Sequence, residues 1–390
     1  MTVWFAQSSN GNINDASKWG DAPTSPSSYL TFDNLAAGDI LQLNGKTAIN
    51  INVSFACTRV SSAQEGGLGT ASGNLVISSG TITIGTSQTK TEIRAGSSCP
   101  LTISGGTVVI NGDVTAGNSY HGLTLSGDST SLTVNGRITG GSAPTTHGIS
   151  RTGSGTLVVS NPGADALYTP QSGKAINDNG GGGTITINGN INAYGTTYCL
   201  YTTNSLATII VNGNVYGTSG CGISHNSVSG MGATLTINGN VTGGSWASCS
   251  YAMVSISQYV SATIYGNVTG GGNCGAYGFA TTMNSRPSYV YGNVIASSVC
   301  SGVSSNSLGA AIIYIQGCIY DSLSASAYCG GVRLNLPSTA SIHRVYDWSG
   351  NPVNLPLQLP PDDVKKGLVH GEVVGTLPPA SAFRRTGRFV

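Results

Sequence analysis

The sequence predicts an all-β chain: a single-chain parallel β-helix of about 25 residues per rung, with an N-terminal cap and an extended C-terminal arm. Three observations carry that reading. One phrase returns through the middle of the chain, as TVVINGDV (107–114), SLTVNGRI (131–138), TITINGNI (184–191), TIIVNGNV (208–215), TLTINGNV (234–241), SATIYGNV (261–268), PSYVYGNV (287–294) and IIYIQGCI (312–319). Its glycines are Gly112, Gly136, Gly189, Gly213, Gly239, Gly266, Gly292 and Gly317, separated by 24, 53, 24, 26, 27, 26 and 25 residues. The step of 53 is two turns, because TLVVSNPG (156–163) supplies the missing member. A second column keeps step about ten residues later: His121-Gly122-Leu123, His147-Gly148-Ile149, Cys221-Gly222-Ile223, Cys274-Gly275-Ala276 and Cys329-Gly330-Gly331-Val332. Cys199, Cys249 and Cys300 are looser members. Two columns in register require a coil of constant circumference, each strand pairing with its equivalent one rung away at about 4.8 Å.

Taken in order, residues 1–70 read as the capping segment. Trp4, Phe5, Trp19, Tyr29, Phe32 and Phe55 concentrate there, as do Asp15, Asp21, Asp33 and Asp39. A solenoid whose first strand edge stays open pairs with other chains, so aromatic packing over that end is the expected use of Trp4 and Trp19. Residues 71–344 carry the repeats, from NLVISSGTITIG (74–85) and PLTISGGTVVING (100–112) onward. Within TITINGNI the isoleucines Ile185 and Ile187 share one face and Thr184 and Thr186 the other, the period-two pattern of a half-buried strand. Asn111, Asn135, Asn188, Asn212 and Asn238 precede the phrase glycine. They form either an inward amide ladder or a column of turn residues that tolerate a left-handed backbone. Tyr265, Tyr291 and Gln316 replace them further on, so the cross-section is expected to change there. Residues 345–390 lose the period, and four of the chain's 14 prolines fall in 345–363, which reads as an extended linker leading to an arm.

Composition narrows the function. Charged residues are 8% of the chain and the net charge is +1, with no basic stripe to neutralise phosphates, so a nucleic-acid partner is not expected. No apolar run reaches the length of a membrane span. The opening MTVWFAQSSNGNIND turns polar after Ala6, so no Sec-type leader is expected. Six of the nine cysteines (Cys199, Cys221, Cys249, Cys274, Cys300 and Cys329) recur at rung spacing without a C-x-x-C pair, and are expected as reduced interior thiols.

Catalysis on a β-helix needs a converging set. Glycoside hydrolysis requires two carboxylates on neighbouring rungs. Between Leu101 and Val345 the acids are Asp113, Asp128, Asp165, Asp178 and Asp321, and no two fall in one column. Asp113 stands where the repeat has Asn190, Asn214 and Asn240, and reads as a solvated turn residue. Arg137, Arg151, Lys174, Arg286, Arg333 and Arg344 are scattered singly, and no G-x-S-x-G elbow or phosphate loop occurs. His121 and His147 share a column one rung apart, but no third ligand follows on the next rung, so they are expected to fill the column rather than hold a metal. No cofactor is expected.

Two resemblances bear on identity. The opening WF…NGNINDASKW resembles the start of many β-helical surface proteins and autotransporter-type passengers. The C-terminal stretch DDVKKGLVHGEVVGTLPP resembles a short tail module of tailed-bacteriophage virion proteins. Asp363-Val364-Lys365 and Gly367 stand for its DVR-x-G part, His370-Gly371 stand where YG is usual, and Gly375-Thr376-Leu377-Pro378 complete it. Lysine for arginine and histidine for tyrosine are departures from the pattern. The resemblance implies a virion part without saying which; with the scattered carboxylates it is expected to be non-enzymatic, a head decoration or a tail fibre or spike. It would be made in the host cytoplasm, commonly trimeric, in contact with other virion proteins and with host surface glycans. Val364, Leu368, Val369, Val373, Val374, Leu377 and Phe383, flanked by Arg384, Arg385 and Arg388, are then expected to form the anchoring arm. The alternatives are a polysaccharide-degrading β-helix, opposed by the scattered carboxylates, and an adhesin of autotransporter type, opposed by the polar opening.

Overall fold

The computed structural model describes residues 1–217 apart from 65–67, 69, 71, 144, 171–172, 180–181, 195–199 and 204–205. Beyond 217 it describes 223–225, 233–243, 254–256, 260–269, 277–279, 288–295, 303–305, 313–315, 318–321, 326–329, 345–346 and 352–353. Apart from one 3-10 turn at Phe32–Asn34, the described elements are all strands. They build a parallel β-solenoid of about 26 residues per turn, as the glycine spacing predicts. The chain divides into two compact units, Met1–Gly213 and Asn214–Val390.

Successive turns near the middle of the first unit contribute three strands each, and from His147 the last two merge into one long strand, Thr156–Thr169 and then Thr184–Ala193. Leu101–Ile103, Thr107–Ile110 and Val114–Thr115 are followed one turn later by Leu123–Leu125, Ser131–Val134 and Ile138–Thr139. All three pairs are parallel and in register, with Leu101 opposite Leu123, Thr107 opposite Ser131 and Val114 opposite Ile138. The alternation read from the phrase decides which side chains enter. Ile82 and Ile84, Val108 and Ile110, Leu132 and Val134, Leu157 and Val159, Ile185 and Ile187, and Ile209 and Val211 are buried in stacked pairs. Each contributes roughly 1.5–3 kcal/mol of transfer free energy, which a chain so poor in charge depends on.

The phrase glycines are set by close approach between turns. A Cβ built on Gly136 would lie 2.3 Å from the Gly112 carbonyl oxygen, so a side chain there would push two backbones apart. The asparagines before them form a hydrogen-bonded ladder, with Asn135 Nδ2 donating to Asn111 Oδ1 at 2.8 Å and Asn212 Nδ2 to Asn188 Oδ1 at 2.7 Å. The ladder lies on the outside, since Asn212 is exposed and Asn111, Asn135 and Asn188 are half-buried. The inward alternative fails because the next residue inward, as Ile110 or Val134, already fills the core. Asp113 is exposed as expected, but it also accepts the Arg137 backbone N–H at 2.8 Å, one turn on.

The parallel ladder reaches further toward the N-terminus than Leu75. Val3–Ala6 pairs in parallel with Ile40–Gln42, which pairs with Arg59–Ser61, which in turn pairs with Glu92–Arg94. On the free side of Val3–Ala6, Phe5 and Ala6 pair with Trp19–Gly20, antiparallel, which covers half of the first strand's edge. Trp19 is fully buried, with its Nε1–H donating to the Ile13 carbonyl at 2.8 Å. Trp4 Nε1–H donates to Asp39 Oδ2 at 3.1 Å, and the other oxygen of that carboxylate accepts the Thr2 N–H at 2.9 Å.

The second unit repeats the pattern. Ala233–Ile237, Val260–Ile264, Ser288–Val290 and Ile313–Ile315 stack in parallel, as do Val241–Thr242, Val268–Thr269 and Val294–Ile295. The ladder passes Tyr265 and Tyr291 without a shift, since Thr263 stays opposite Tyr289 and Ile264 opposite Val290. Antiparallel returns appear at its far end. Ser326–Cys329 folds back on Cys318–Asp321, and Pro352–Val353 on Val345–Tyr346, which itself still pairs with the strand Ile313–Ile315.

Candidate functional site

The histidine column is a stack. The imidazoles of His121 and His147 lie 4.7 Å apart at 11°, and the His147 backbone N–H donates to His121 Nδ1 at 3.1 Å. That bond uses one lone pair of His121 and places the proton of its neutral ring on Nε2. His147 is buried, and its ionisation is pushed down to about 3 by burial first, then by His121 and by Lys174. Lys174 occupies the same position on the next turn, opposite His147. The column therefore reads His-His-Lys over these three turns. Among the described residues no three His, Cys, Asp or Glu side chains converge on a metal position. Lys174 is half-buried, and burial pushes its ionisation below the ordinary lysine range, while the Tyr201 ring, with its centroid 3.9 Å from Nζ, offers the ammonium an aromatic face.

The structure joins two residues that the sequence left apart. Four residues after His147 stands Arg151, and four after Lys174 stands Asp178, and the ladder sets these two opposite each other. Both side chains are fully buried, with Arg151 Nη1 donating to Asp178 Oδ1 at 2.7 Å. Nη2 donates to the carbonyls of Gly155 and Gly182, while Nε has no partner. The inward column thus runs Ile77, Ile103, Leu125, Arg151, Asp178, Thr202, apolar and then polar. The pair is enclosed in the core and meets no solvent. A common offset of four from the second column was the available sequence signal.

Asp128 and Cys57 have structural surroundings. Asp128 Oδ1 accepts the Ser154 N–H at 3.0 Å and its hydroxyl at 3.1 Å, which holds the carboxyl below its ordinary range. Cys57, outside the rung column, is buried, and burial pushes its thiol up to about 12. The rung cysteines Cys199, Cys221, Cys249, Cys274 and Cys300 lie outside the described residues, and Cys329 ends the returning strand Ser326–Cys329. Arg286, Arg333 and Arg344 also lie outside them, as do all ten residues of the anticipated arm: Val364, Leu368, Val369, Val373, Val374, Leu377, Phe383, Arg384, Arg385 and Arg388.

Functional groups reach solvent along the short strands of the first unit. Inward, Val60, Ile93, Val114, Ile138, Leu167 and Ile191 are buried. Outward, Arg94 is followed in register by Thr115, Thr139, Tyr168 and Asn192. Arg59 Nε pairs with Glu92 Oε2 at 2.6 Å, and the Arg137 guanidinium lies 5.7 Å from the Tyr168 ring centroid. At the end of this face lies an open groove of about 510 Å³. It is bounded by the loops that follow Glu92–Arg94 and Val114–Thr115, and lined by Arg94, Ser97, Thr115, Asn118, Ser119 and Tyr120 among others. Its backbone floor stays bare because a Cβ on Gly117 would sit 2.3 Å from the Gly96 carbonyl oxygen. In the second unit the exposed asparagine ladder gives way to tyrosines, with Tyr265 and Tyr291 stacked at 4.7 Å and 18°. No protein-family model matches the chain, and neither a curated protein nor a solved structure shows significant similarity to it.

Proposed function

We propose that this chain is a non-enzymatic structural protein of a tailed-phage virion. It is a surface appendage, a head decoration or a tail fibre or spike, that assembles as a homotrimer on the particle and meets host surface glycans. The observation that carries this reading is the stretch from Asp363 to Pro378, with its resemblance to a virion tail module. The solenoid is compatible with it, since a fold held by backbone ladders can project loops from the particle with few charges. The non-enzymatic part is supported by the partners of the acids: Asp113 and Asp128 accept backbone N–H groups one turn away, and Asp178 is sealed against Arg151. Residues 362–390 are the arm that binds neighbouring virion proteins. No nucleic acid, membrane insertion or cofactor enters the reading.

Quantitative mass spectrometry of purified particles tests it. On the order of hundreds of copies indicates decoration and about six trimers indicates spikes, since closed symmetry fixes such counts. Absence from the particles defeats the proposal. A chain truncated after Pro361 is expected to fold and to be missing from particles, whereas normal incorporation would relocate the anchor to another segment.

A further inference from the structure

We propose that Asn10-Gly11 is a self-modification site, where the Gly11 backbone nitrogen displaces the Asn10 side-chain amide as ammonia and thereby unfastens the N-terminal loop from the solenoid. The proposal goes beyond the surface-appendage reading and does not rest on it. Asparagine followed by glycine is open to this ring closure, because no side chain on the glycine shields its nitrogen. The fold treats its Asn-Gly pairs unequally. In the ladder, Asn111 Nδ2 donates to the Gly85 carbonyl at 3.0 Å and Asn135 Nδ2 to Asn111 Oδ1 at 2.8 Å, and Gly112 and Gly136 are buried. Asn44 is buried with both ends of its amide bonded, and the Gly45 N–H donates to the Ser72 carbonyl at 2.6 Å. Asn10 and Gly11 are exposed, and among the described residues neither the Asn10 side chain nor the Gly11 N–H has a hydrogen-bond partner.

One contact activates the nucleophile. Lys18 Nζ donates to the Asn10 carbonyl oxygen at 2.5 Å, and Lys18 is only 3% exposed, so the bond is shielded from water. That carbonyl and the Gly11 nitrogen belong to one peptide unit. When hydroxide takes the Gly11 proton, the negative charge spreads onto the same oxygen, where the ammonium stabilises it. The nitrogen then bonds to Asn10 Cγ, the Cγ–Nδ2 bond breaks, and Nδ2 leaves as ammonia with a proton from water. One water opens the succinimide. Cleavage of the new N–Cγ bond yields aspartate, whereas cleavage of the original peptide bond yields isoaspartate, with one extra methylene in the main chain. Nothing is oxidised or reduced. The site lies inside a clasp: the Asn10 N–H donates to the Thr47 carbonyl at 2.9 Å and the Thr47 N–H to Ser9 Oγ at 3.1 Å. Beyond the reacting bond, the Asn50 N–H donates to the Gly11 carbonyl at 2.8 Å and the Ile13 N–H to the Asn50 carbonyl at 2.7 Å. An added methylene between Asn10 and Gly11 shifts one set of bonds against the other, and releases the loop from the edge strand Ile49–Asn50.

The full chain is incubated at pH 8, native and in guanidinium chloride, and each Asn-bearing peptide is followed by tandem mass spectrometry, with isoaspartate read by enzymatic methylation. In the native chain Asn10 should convert at least about tenfold faster than Asn44, Asn111 or Asn135, whose amides must first open locally. Folding should slow those three and leave Asn10 at least as fast as in denaturant. Lys18→Met should slow native Asn10 by about tenfold, the effect of a lost charge-assisted hydrogen bond, and Lys18→Arg should restore the rate. Should Lys18→Met fail to fold, the native and denatured rates of the unaltered chain still decide. Chain carrying isoaspartate, isolated by ion exchange, should exchange the Ile13 and Asn50 amide hydrogens at least about tenfold faster than fresh chain. The proposal is overturned if folding slows Asn10 as it slows the ladder, if folded Lys18→Met converts at the normal rate, or if amide exchange is unchanged by the modification.

Discussion

Replacing Asp178 with alanine leaves the Arg151 guanidinium in the core without its carboxylate. Both side chains are at zero exposure and 2.7 Å apart, so water cannot take the place of the missing charge. Arginine cannot escape by losing its proton. Removing one partner of such a pair costs about 3–5 kcal/mol, a large share of the roughly 5–15 kcal/mol that holds a typical domain folded. The double replacement Arg151→Leu with Asp178→Leu continues the column of Ile77, Ile103 and Leu125 and removes both charges. It still strands the Gly155 and Gly182 carbonyls, at about 1–3 kcal/mol each, so it should lie below wild type and above or level with the single variant. Urea unfolding followed by circular dichroism, run as a double-mutant cycle, measures the coupling. Because a solenoid can unfold turn by turn, a broadened transition in Asp178→Ala is part of the expectation. A loss under about 1 kcal/mol, the value of an exposed pair, would falsify the claim that the pair is sealed from solvent.

Acid should weaken the fold through His147. Its folded-state ionisation is depressed from 6.5 to about 3, so the unfolded chain takes up the proton first and stability drains as pH falls from 6.5 toward 3. Urea midpoints at pH 7 and pH 4 should differ less in His147→Gln than in wild type; equal differences refute the assignment. Gly136→Ala places a methyl group 2.3 Å from the Gly112 carbonyl oxygen and should cost about 1–3 kcal/mol by overpacking, read from the same melts. Cys57, with its thiol raised to about 12, should resist iodoacetamide at pH 8 in the native chain and react only after denaturation. Rapid native labelling would show that the thiol is open to solvent.

The fold was legible because its determinants are local and repeated. The alternation in TITINGNI names the buried side chains, and the glycine interval names the turn. What escaped depended on register between strands that do not share the phrase. Arg151 and Asp178 look unrelated until Lys174 is recognised as the successor of His147, a substitution that hides the column. The asparagine ladder was legible in part: the spacing gave the column, but only the position of Ile110 and Val134 decides that the amides face outward. The groove could not be read at all, since Arg94 ends a strand on one turn and Tyr120 lies in the loop after Val114–Thr115 on the next. The antiparallel returns also left no mark, because a strand as short as Trp19–Gly20 carries no periodicity.

The residue after each phrase glycine has a consequence for how such a chain changes length over generations. Asn214 Oδ1 accepts the Asn240 backbone N–H, Asn240 Oδ1 accepts that of Asn267, and Asn267 Oδ1 that of Asn293, each at 2.8 Å. Along this run of turns each brings one acceptor for its successor and spends one donor on its predecessor. Copying or excising a complete turn conserves that exchange at both new junctions, whereas copying part of one leaves a donor facing the wrong side chain. Recombination between misaligned copies of the phrase would therefore yield folded chains mostly in whole-turn increments, so the natural quantum of inheritance in this molecule is the turn rather than the residue.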